Sequence, residues 1–138
     1  DVKEFPPGVD LALVEGAVAN RDHLRLIRQV RERSRLLVSF GDCAITGNVT
    51  ALRNPLGPPE PILQLVYAER ADLGGQLPRA PGIVPELLER VEPVHAVVPV
   101  DLYLPGCPPP AARIRAVLES LLAGESLAMA GRAMLKFG

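Results

Sequence analysis

Two cysteines, Cys43 and Cys107, are the residues of this chain best suited to chemistry, and the sequence contains no others. They lie 64 positions apart, and each occupies a turn that contains glycine or proline: Gly41-Asp42-Cys43 and Pro105-Gly106-Cys107-Pro108. Each turn follows an apolar run that is typical of a buried strand. A thiol at the carboxyl end of a parallel strand faces the crevice where open α/β sheets bind ligands. If the two strands are neighbours, the pattern predicts one metal site, for which two thiolates are half of a Cys₄ set of ligands.

The composition limits the classes of function. A chain of 138 residues that is 48% hydrophobic is expected to form one domain with its own core. Fifteen Lys and Arg residues against sixteen Asp and Glu give a net charge of -1 without a block of one sign, which argues against a nucleic acid or anionic membrane partner. No apolar run reaches the roughly 18 to 20 residues of a membrane span, and the first residues do not resemble a signal peptide. These features predict a cytoplasmic protein.

The segments before Cys43 alternate between strand and helix patterns. The mostly apolar residues 9–14 are typical of a strand covered on both faces. Asn20 or Asp22 can cap a helix in which apolar residues recur at helical spacing, and residues 36–40 form a second apolar run that leads into the first cysteine turn. This alternation predicts a parallel α/β sheet with right-handed crossovers.

The second half of the chain is harder to interpret. Residues 54–93 are rich in proline, and we expect this long excursion to contact another subunit, although two short helices joined by turns are an equal alternative. Residues 94–104 predict a bent strand interrupted by a proline. Prolines 108–110 suit the first turn of a helix that reaches residue 122. The tail at residues 124–138 is expected to be either a frayed terminus or an arm that docks on a partner.

The two cysteine turns resemble, in their order along the chain, the proximal-cluster domain of nickel-iron hydrogenase small subunits and of the related 20-kDa subunit of respiratory complex I. Those proteins share a middle Gly-x-Cys and a late Gly-Cys-Pro-Pro. Residues 14–20, 37–54, 93–95 and 100–109 are similar to the small subunit of the cytoplasmic bidirectional, NAD-reducing hydrogenases. The resemblance covers nearly the whole chain.

This resemblance implies a flavodoxin-like open parallel sheet with helices on both faces, holding one 4Fe-4S cluster. Cys43 and Cys107 match the third and fourth cluster ligands of the family. The first two, a Cys-x-x-Cys after the first strand, have no counterpart here, so the first strand and its cysteine loop are expected to precede residue 1. Residues 1–123 then form an N-terminally incomplete iron-sulfur domain. Because each of the four irons requires a ligand, two thiolates alone are not expected to hold a full cluster tightly.

The function that the resemblance implies is electron transfer within an oxidoreductase. The cluster would relay electrons between the nickel-iron site of a large subunit, which carries out the hydrogen chemistry, and diaphorase subunits with flavin and iron-sulfur clusters that reduce NAD. Two alternatives stay open: a 20-kDa-type subunit of a complex I-like quinone reductase, and a metal-free flavodoxin-like binding module. Bound FMN is disfavoured, because the loop that binds its phosphate would follow the first strand of the family, which is expected to precede residue 1.

Several other residues are assigned to the cofactor site. Gly16, Gly41 and Gly106 are expected to let the backbone approach closely and to offer N–H groups to cluster sulfides. Pro108 follows the second cysteine and is placed in the same set. Glu15 is expected near the cluster or at a partner interface, with a capping or solvated role as the alternative.

Other chemistries for the cysteines are disfavoured. A disulfide between them is unusual in a cytoplasmic chain. Zinc held by the two cysteines with His23 and His95 lacks the local spacing that zinc sites show. Asp42 and Asp101 are expected to be structural. No catalytic triad order, phosphate-binding loop or dinucleotide-binding fingerprint is present, so independent hydrolase, kinase or dehydrogenase chemistry has no support.

Overall fold

The fold is known from a computed structural model, which describes residues 4–125. Its elements in chain order are β1 (Val9–Glu15), β2 (Val18–Asn20), α1 (Arg21–Arg33), β3 (Ser34–Phe40), α2 (Gly41–Thr46), a 3₁₀ helix (Asn48–Leu56), α3 (Pro59–Gln64), a π-helical segment (Leu65–Glu69), β4 (Leu87–Glu92), α4 (Val94–Val97), β5 (Leu102–Leu104) and α5 (Ala111–Leu122). All but the first two residues of the predicted tail 124–138 lie outside the described residues.

Strands β1, β3 and β5 form one parallel sheet in that order, with β3 in the centre. In the register of the sheet, Glu15 lies opposite Phe40 and Phe40 lies opposite Leu104. The three strands therefore end at the same edge. The predicted open parallel α/β sheet is confirmed, and the loops that follow its strands leave the sheet side by side.

The two faces of the sheet are both buried, which explains why the sequence of β3 is a nearly continuous apolar run. Leu37 faces a core that includes Ile27 of α1 and Val94 of α4. Its neighbour Val38 faces the opposite side, where it packs with Val117 of α5. Because successive strand residues point to opposite faces, helices are needed on each side, and the expectation of helices on both faces is confirmed.

Helix α1 begins as the sequence predicts. Asn20 is its N-cap, and the Asn20 Oδ1 atom accepts a hydrogen bond of 2.8 Å from the backbone N–H of His23. This bond satisfies one of the N–H groups that a helix start leaves unpaired. Ile27 and Val30 form its buried face, which packs on the sheet.

Asp101 joins the end of α1 to the start of the central strand. Its Oδ2 atom accepts hydrogen bonds from Arg31 at 2.6 Å and from the backbone N–H of Leu37 at 2.7 Å. Burial by itself would raise the pKa of this carboxyl, but the hydrogen bonds from Arg31 and Leu37 and the charge of Arg31 together lower it. Asp101 therefore has the structural role expected for it, because it links Arg31 to the backbone of Leu37.

Two parts of the second half differ from the sequence-based expectation. The predicted strand over residues 94–100 is wrong, because residues Val94–Val97 form α4: Pro93 is its N-cap, and the N–H of Val98 donates to the carbonyl of Val94 at 3.0 Å. Val94 and Val98 are both buried, a spacing of four that a helix brings to one face. The proline-rich excursion contains β4, which pairs antiparallel with β2 in a second small sheet.

The helices of residues 4–125 are short or carry charged side chains. Within that range, none combines the length and apolar character that a membrane span requires.

Candidate metal centre

The first cysteine turn is set by a glycine directly after the central strand. Gly41 has a φ of 80°, a left-handed conformation that favours glycine, so the chain turns from β3 into α2 without a connecting loop. A Cβ atom at Gly41 would lie 3.3 Å from the carbonyl oxygen of Gly106, so the second turn approaches closely here. Cys43 follows on α2 and is half-buried.

The second cysteine turn follows β5 and is equally constrained. Gly106 is buried and has a φ of 138°, and a Cβ atom there would lie 2.5 Å from the Cα atom of Pro109. Only glycine fits this position. Arg113 of α5 donates a hydrogen bond from Nη1 to the carbonyl of Pro105, which holds the turn on its other side. Cys107 and Pro108 are exposed and are joined by a cis peptide bond.

The two turns are bonded directly to each other through Asp42. Its backbone N–H donates to the carbonyl of Gly106 at 3.0 Å, and its Oδ1 atom accepts from the N–H of Gly106 at 2.7 Å. Asp42 is only 9% exposed, so this bond is shielded from water. Because Asp42 precedes Cys43 and Gly106 precedes Cys107, the pair joins the backbones immediately next to the two thiols.

The convergence of the two cysteine turns, expected from the sequence, is therefore present. One detail differs. The N–H of Gly106 was expected to be available for a cluster sulfide, but it donates to Asp42 instead. The role of Gly41, Gly106 and Pro108 in binding a cofactor stays a prediction that rests on their position beside the thiols.

Both cysteines are free thiols. The histidines of the zinc alternative lie elsewhere: the Nδ1 atom of His23 accepts a hydrogen bond of 3.4 Å from the N–H of Ala19, and His95 packs edge-on against Tyr103 with 5.8 Å between ring centroids. Across residues 4–125, no three or more His, Cys, Asp or Glu side chains are grouped so that they could hold a metal ion. The four-residue zinc set therefore does not assemble.

Glu15 and Gly16 lie at the same edge of the sheet as the cysteine turns. Glu15 ends β1 opposite the last residue of β3, and its side chain is exposed. Gly16 has a φ of 88°, and a Cβ atom built there would have open space around it. Both residues therefore lie at the end of a strand, as the sequence predicts. Their contact with a cofactor or a partner stays a prediction.

Asn48 was not predicted from the sequence. Its side-chain Nδ2 atom lies 3.7 Å from the Sγ atom of Cys107, within hydrogen-bonding distance for sulfur. The signal that could have found it is the Gly47-Asn48 pair after a short helix, since Gly and Asn are the residues that most readily adopt left-handed backbone conformations.

The chain matches a known protein family over most of its length. Residues 1–121 match the family described as NADH ubiquinone oxidoreductase, 20 Kd subunit. The chain belongs to this family. The predicted relation to the 20-kDa subunit of complex I is confirmed by that match.

Several individual relatives that resemble the chain are hydrogenase subunits. It is 36% identical over 126 residues to a subunit of the F420-non-reducing hydrogenase vhu of Methanocaldococcus jannaschii, covering 91% of this chain and 43% of the relative. It is 32% identical over 127 residues to the delta subunit of the NAD-reducing hydrogenase HoxS of Cupriavidus necator, covering 90% of this chain and 60% of the relative. The chain thus spans about half the length of these relatives.

A solved structure shares the fold. A chain in the crystal structure of an NAD⁺-reducing [NiFe]-hydrogenase in the H₂-reduced state superposes with a TM-score of 0.90 at 37% identity, covering all of this chain and 76% of the other. The predicted resemblance to NAD-reducing nickel-iron hydrogenase is confirmed, and these relatives are subunits of oxidoreductases.

Proposed function

We propose that this chain is the electron-transfer subunit of a nickel-iron hydrogenase, and that Cys43 and Cys107 supply two of the four ligands of a 4Fe-4S cluster. The observation that carries the proposal is the direct bond between the two cysteine turns, with Asp42 Oδ1 and the N–H of Gly106 2.7 Å apart. The proposal is supported because the two thiols follow neighbouring parallel strands and their flanking residues are hydrogen-bonded to each other.

The two thiols that this chain supplies are suitable ligands for such a cluster. Iron-sulfur clusters are held by cysteine thiolates, and both cysteines are free to ligate. Cys43 is half-buried and Cys107 is exposed, so neither residue is sealed in the core. The other two ligands would come from a Cys-x-x-Cys upstream of residue 1, as the resemblance to hydrogenase small subunits implies.

When bound, the cluster supplies a one-electron carrier. The chain itself joins the two cysteine turns through the bond between Asp42 and Gly106, and the burial of Asp42 shields this bond from water. In this proposal the electrons pass between the nickel-iron site of a large subunit and a diaphorase module with flavin and iron-sulfur clusters, which reduces NAD. Its place in the cell is then the cytoplasm.

In this proposal a partner subunit covers the exposed apolar side chains of the 3₁₀ helix that follows the first cysteine turn. Val49, Leu52 and Leu56 are 65 to 70% exposed on the 3₁₀ helix that begins two residues after α2. Exposed apolar side chains that are clustered rather than scattered are typical of interaction sites. Because this helix begins two residues after α2, which carries Cys43, a partner bound here would bring its redox centre towards the cluster.

The test is substitution of a ligand in the full-length protein, purified anaerobically with its partner subunits. Cys107→Ser should abolish hydrogen-dependent NAD reduction, reduce the iron content and weaken the iron-thiolate absorbance at about 400 nm. Ala116→Ser, on the exposed face of α5, adds the same hydroxyl away from the site and should leave all three unchanged. A Cys107→Ser protein with wild-type turnover and iron would show that the cluster is not held here.

The quinone reductase alternative is favoured by one observation, the match to the 20 Kd subunit family of NADH ubiquinone oxidoreductase. The same preparation separates the two functions. Hydrogen-dependent NAD reduction supports the hydrogenase, whereas NADH-dependent reduction of a soluble quinone without hydrogen activity supports the quinone reductase. A colourless, iron-free protein in both assays would instead support the metal-free binding module.

A further inference from the structure

The amide of Asn48 is positioned against the sulfur of the second cysteine. Its Nδ2 atom lies 3.7 Å from the Sγ atom of Cys107, 59 positions away in the chain. An amide nitrogen carries two N–H donors and no acceptor, so in this orientation it can only donate to the sulfur. Asn48 belongs to the segment after the first cysteine, and its contact is with the second.

The backbone around Asn48 is built to hold this contact. Asn48 has a φ of 38°, and in the part of the chain that the structure describes no other residue except glycine has a positive φ. The preceding Gly47 is also left-handed, with a φ of 83°. Residues held in such sparsely populated conformations concentrate at functional sites, where the surrounding structure enforces them.

A hydrogen-bonded relay connects Asn48 to the first cysteine turn. The N–H of Asn48 donates to the Thr46 Oγ1 atom at 3.2 Å, and that hydroxyl donates to the carbonyl of Asp42 at 2.9 Å. Asp42 in turn bonds Gly106 next to Cys107. The donor and its sulfur are therefore attached to the same bonded pair of turns, which fixes the distance between them.

Hydrogen bonds to the sulfurs of an iron-sulfur cluster are among the factors that set its reduction potential. A donor to a ligating thiolate stabilises the form with more negative charge, which is the reduced form. Reduction here adds one electron to the cluster, with no bond formed or broken and no proton taken up. A donor on Cys107 therefore makes the cluster easier to reduce.

We propose that Asn48 is a positioning residue that raises the reduction potential of the cluster by donating an N–H···S hydrogen bond to Cys107. The inference rests on the proposed function, because it needs a cluster on Cys107. Asn48 is not itself a cluster ligand, but in this inference it adjusts the reduction potential of the cluster.

Two substitutions separate the donor from the backbone. Asn48→Gly removes the amide and keeps the left-handed conformation, which glycine adopts without strain. Asn48→Asp keeps the shape and also tolerates this conformation, but places a carboxylate beside the sulfur in place of a donor. The matched control is Thr50→Gly, which introduces glycine at an exposed position of the same 3₁₀ helix.

The measurement is an anaerobic redox titration of the full-length complex, followed by the paramagnetic signal that Cys107→Ser removes. At a fixed applied potential, Asn48→Gly should lower the ratio of reduced to oxidised cluster by about tenfold, which for a one-electron couple is a downward shift of about 59 mV. Asn48→Asp should lower the ratio further, because the carboxylate repels the added electron. Thr50→Gly should titrate as the wild type does.

The outcomes distinguish this inference from the proposed function. Wild-type protein without iron or signal overturns the proposed function and this inference with it. A variant with full iron and an unchanged potential overturns the role of Asn48 and leaves the cluster in place. If Asn48→Gly fails to load iron, Asn48→Ala decides, because it also removes the donor and adds no charge: a lowered potential supports the hydrogen bond, and a wild-type potential refutes it.

Discussion

Replacing Asp42 tests whether the bond between the two cysteine turns holds this edge of the sheet together. Asp42→Ala removes the carboxylate that accepts from the N–H of Gly106 at 2.7 Å and leaves that N–H buried without this acceptor. A hydrogen bond to a charged group contributes about 1.5 to 3 kcal/mol, and an unsatisfied buried donor costs about 1 to 3 kcal/mol. These two terms overlap, so the free energy of unfolding should fall by about 3 kcal/mol.

Asp42→Asn separates the charge of the side chain from its shape. The amide oxygen can still accept from Gly106, but it lacks the negative charge that strengthens the bond. We therefore expect a loss of about 1.5 kcal/mol, roughly half of the alanine effect.

The assay is urea unfolding of the metal-free protein followed by circular dichroism, with the midpoint compared at unchanged slope. Asp10→Ala is the control, because the Asp10 side chain is 87% exposed in a surface ion pair with Arg35 and should contribute less than about 0.5 kcal/mol. If Asp42→Ala and Asp10→Ala have the same midpoint, the bond seen between the turns does not stabilise the fold, and our explanation of their spacing is refuted.

Two further substitutions test the positions that frame the site. Asp101→Asn should lower stability at neutral pH by no more than about 1 kcal/mol, because the side chain is 41% exposed. Since folding lowers the pKa of Asp101, its stabilisation is present above the ordinary carboxyl pKa of about 3.9 and is lost as the pH falls through the lower folded pKa. Urea midpoints of the two proteins should therefore converge below about pH 4, and a constant difference at every pH would contradict the assigned bond. Gly47→Ala should cost about 2 to 3 kcal/mol, because the residue is left-handed and its Cβ atom would lie 2.7 Å from that of Ala51. Gly8→Ala is its control, with a similar φ of 69° and open space, and should cost about 1 kcal/mol; equal melting temperatures for the two variants would exclude the steric contribution.

The sequence was informative where structure depends on local pattern. The strand over residues 9–14, the helix with Asn20 or Asp22 as its cap and the apolar run before Gly41 were all predicted, because burial periodicity and capping are properties of neighbouring residues. Their alternation was enough to place the carboxyl ends of parallel strands at one edge. The convergence of the two cysteine turns followed from that topology.

The errors came from segments whose apolar pattern suits both a strand and a helix, or whose pairing strand is distant in the chain. An apolar run of the length of residues 94–98 suits a strand or a buried helix equally, and the N-cap at Pro93 decides for the helix. The pairing of β2 with β4 joins Asn20 to Leu87, far apart in the chain, and neither strand alternates clearly.

The contacts that define the site were the least predictable. Asp42 bonds a glycine 64 positions away, and Asn48 contacts a sulfur 59 positions away. Such contacts depend on which loops the sheet brings together and have no periodic signal in the sequence. The residue types alone permitted many partners for both side chains.

The bond between Asp42 and Gly106 closes a long loop of the chain, and this has a consequence for how a metal site would be loaded. Confining the ends of a loop of 64 residues costs roughly 4 kcal/mol of chain entropy. The chain loses this entropy when it folds, before iron binds. An iron atom held by Cys43 would therefore encounter Cys107 at a high effective concentration set by the fold, independent of how much protein is present.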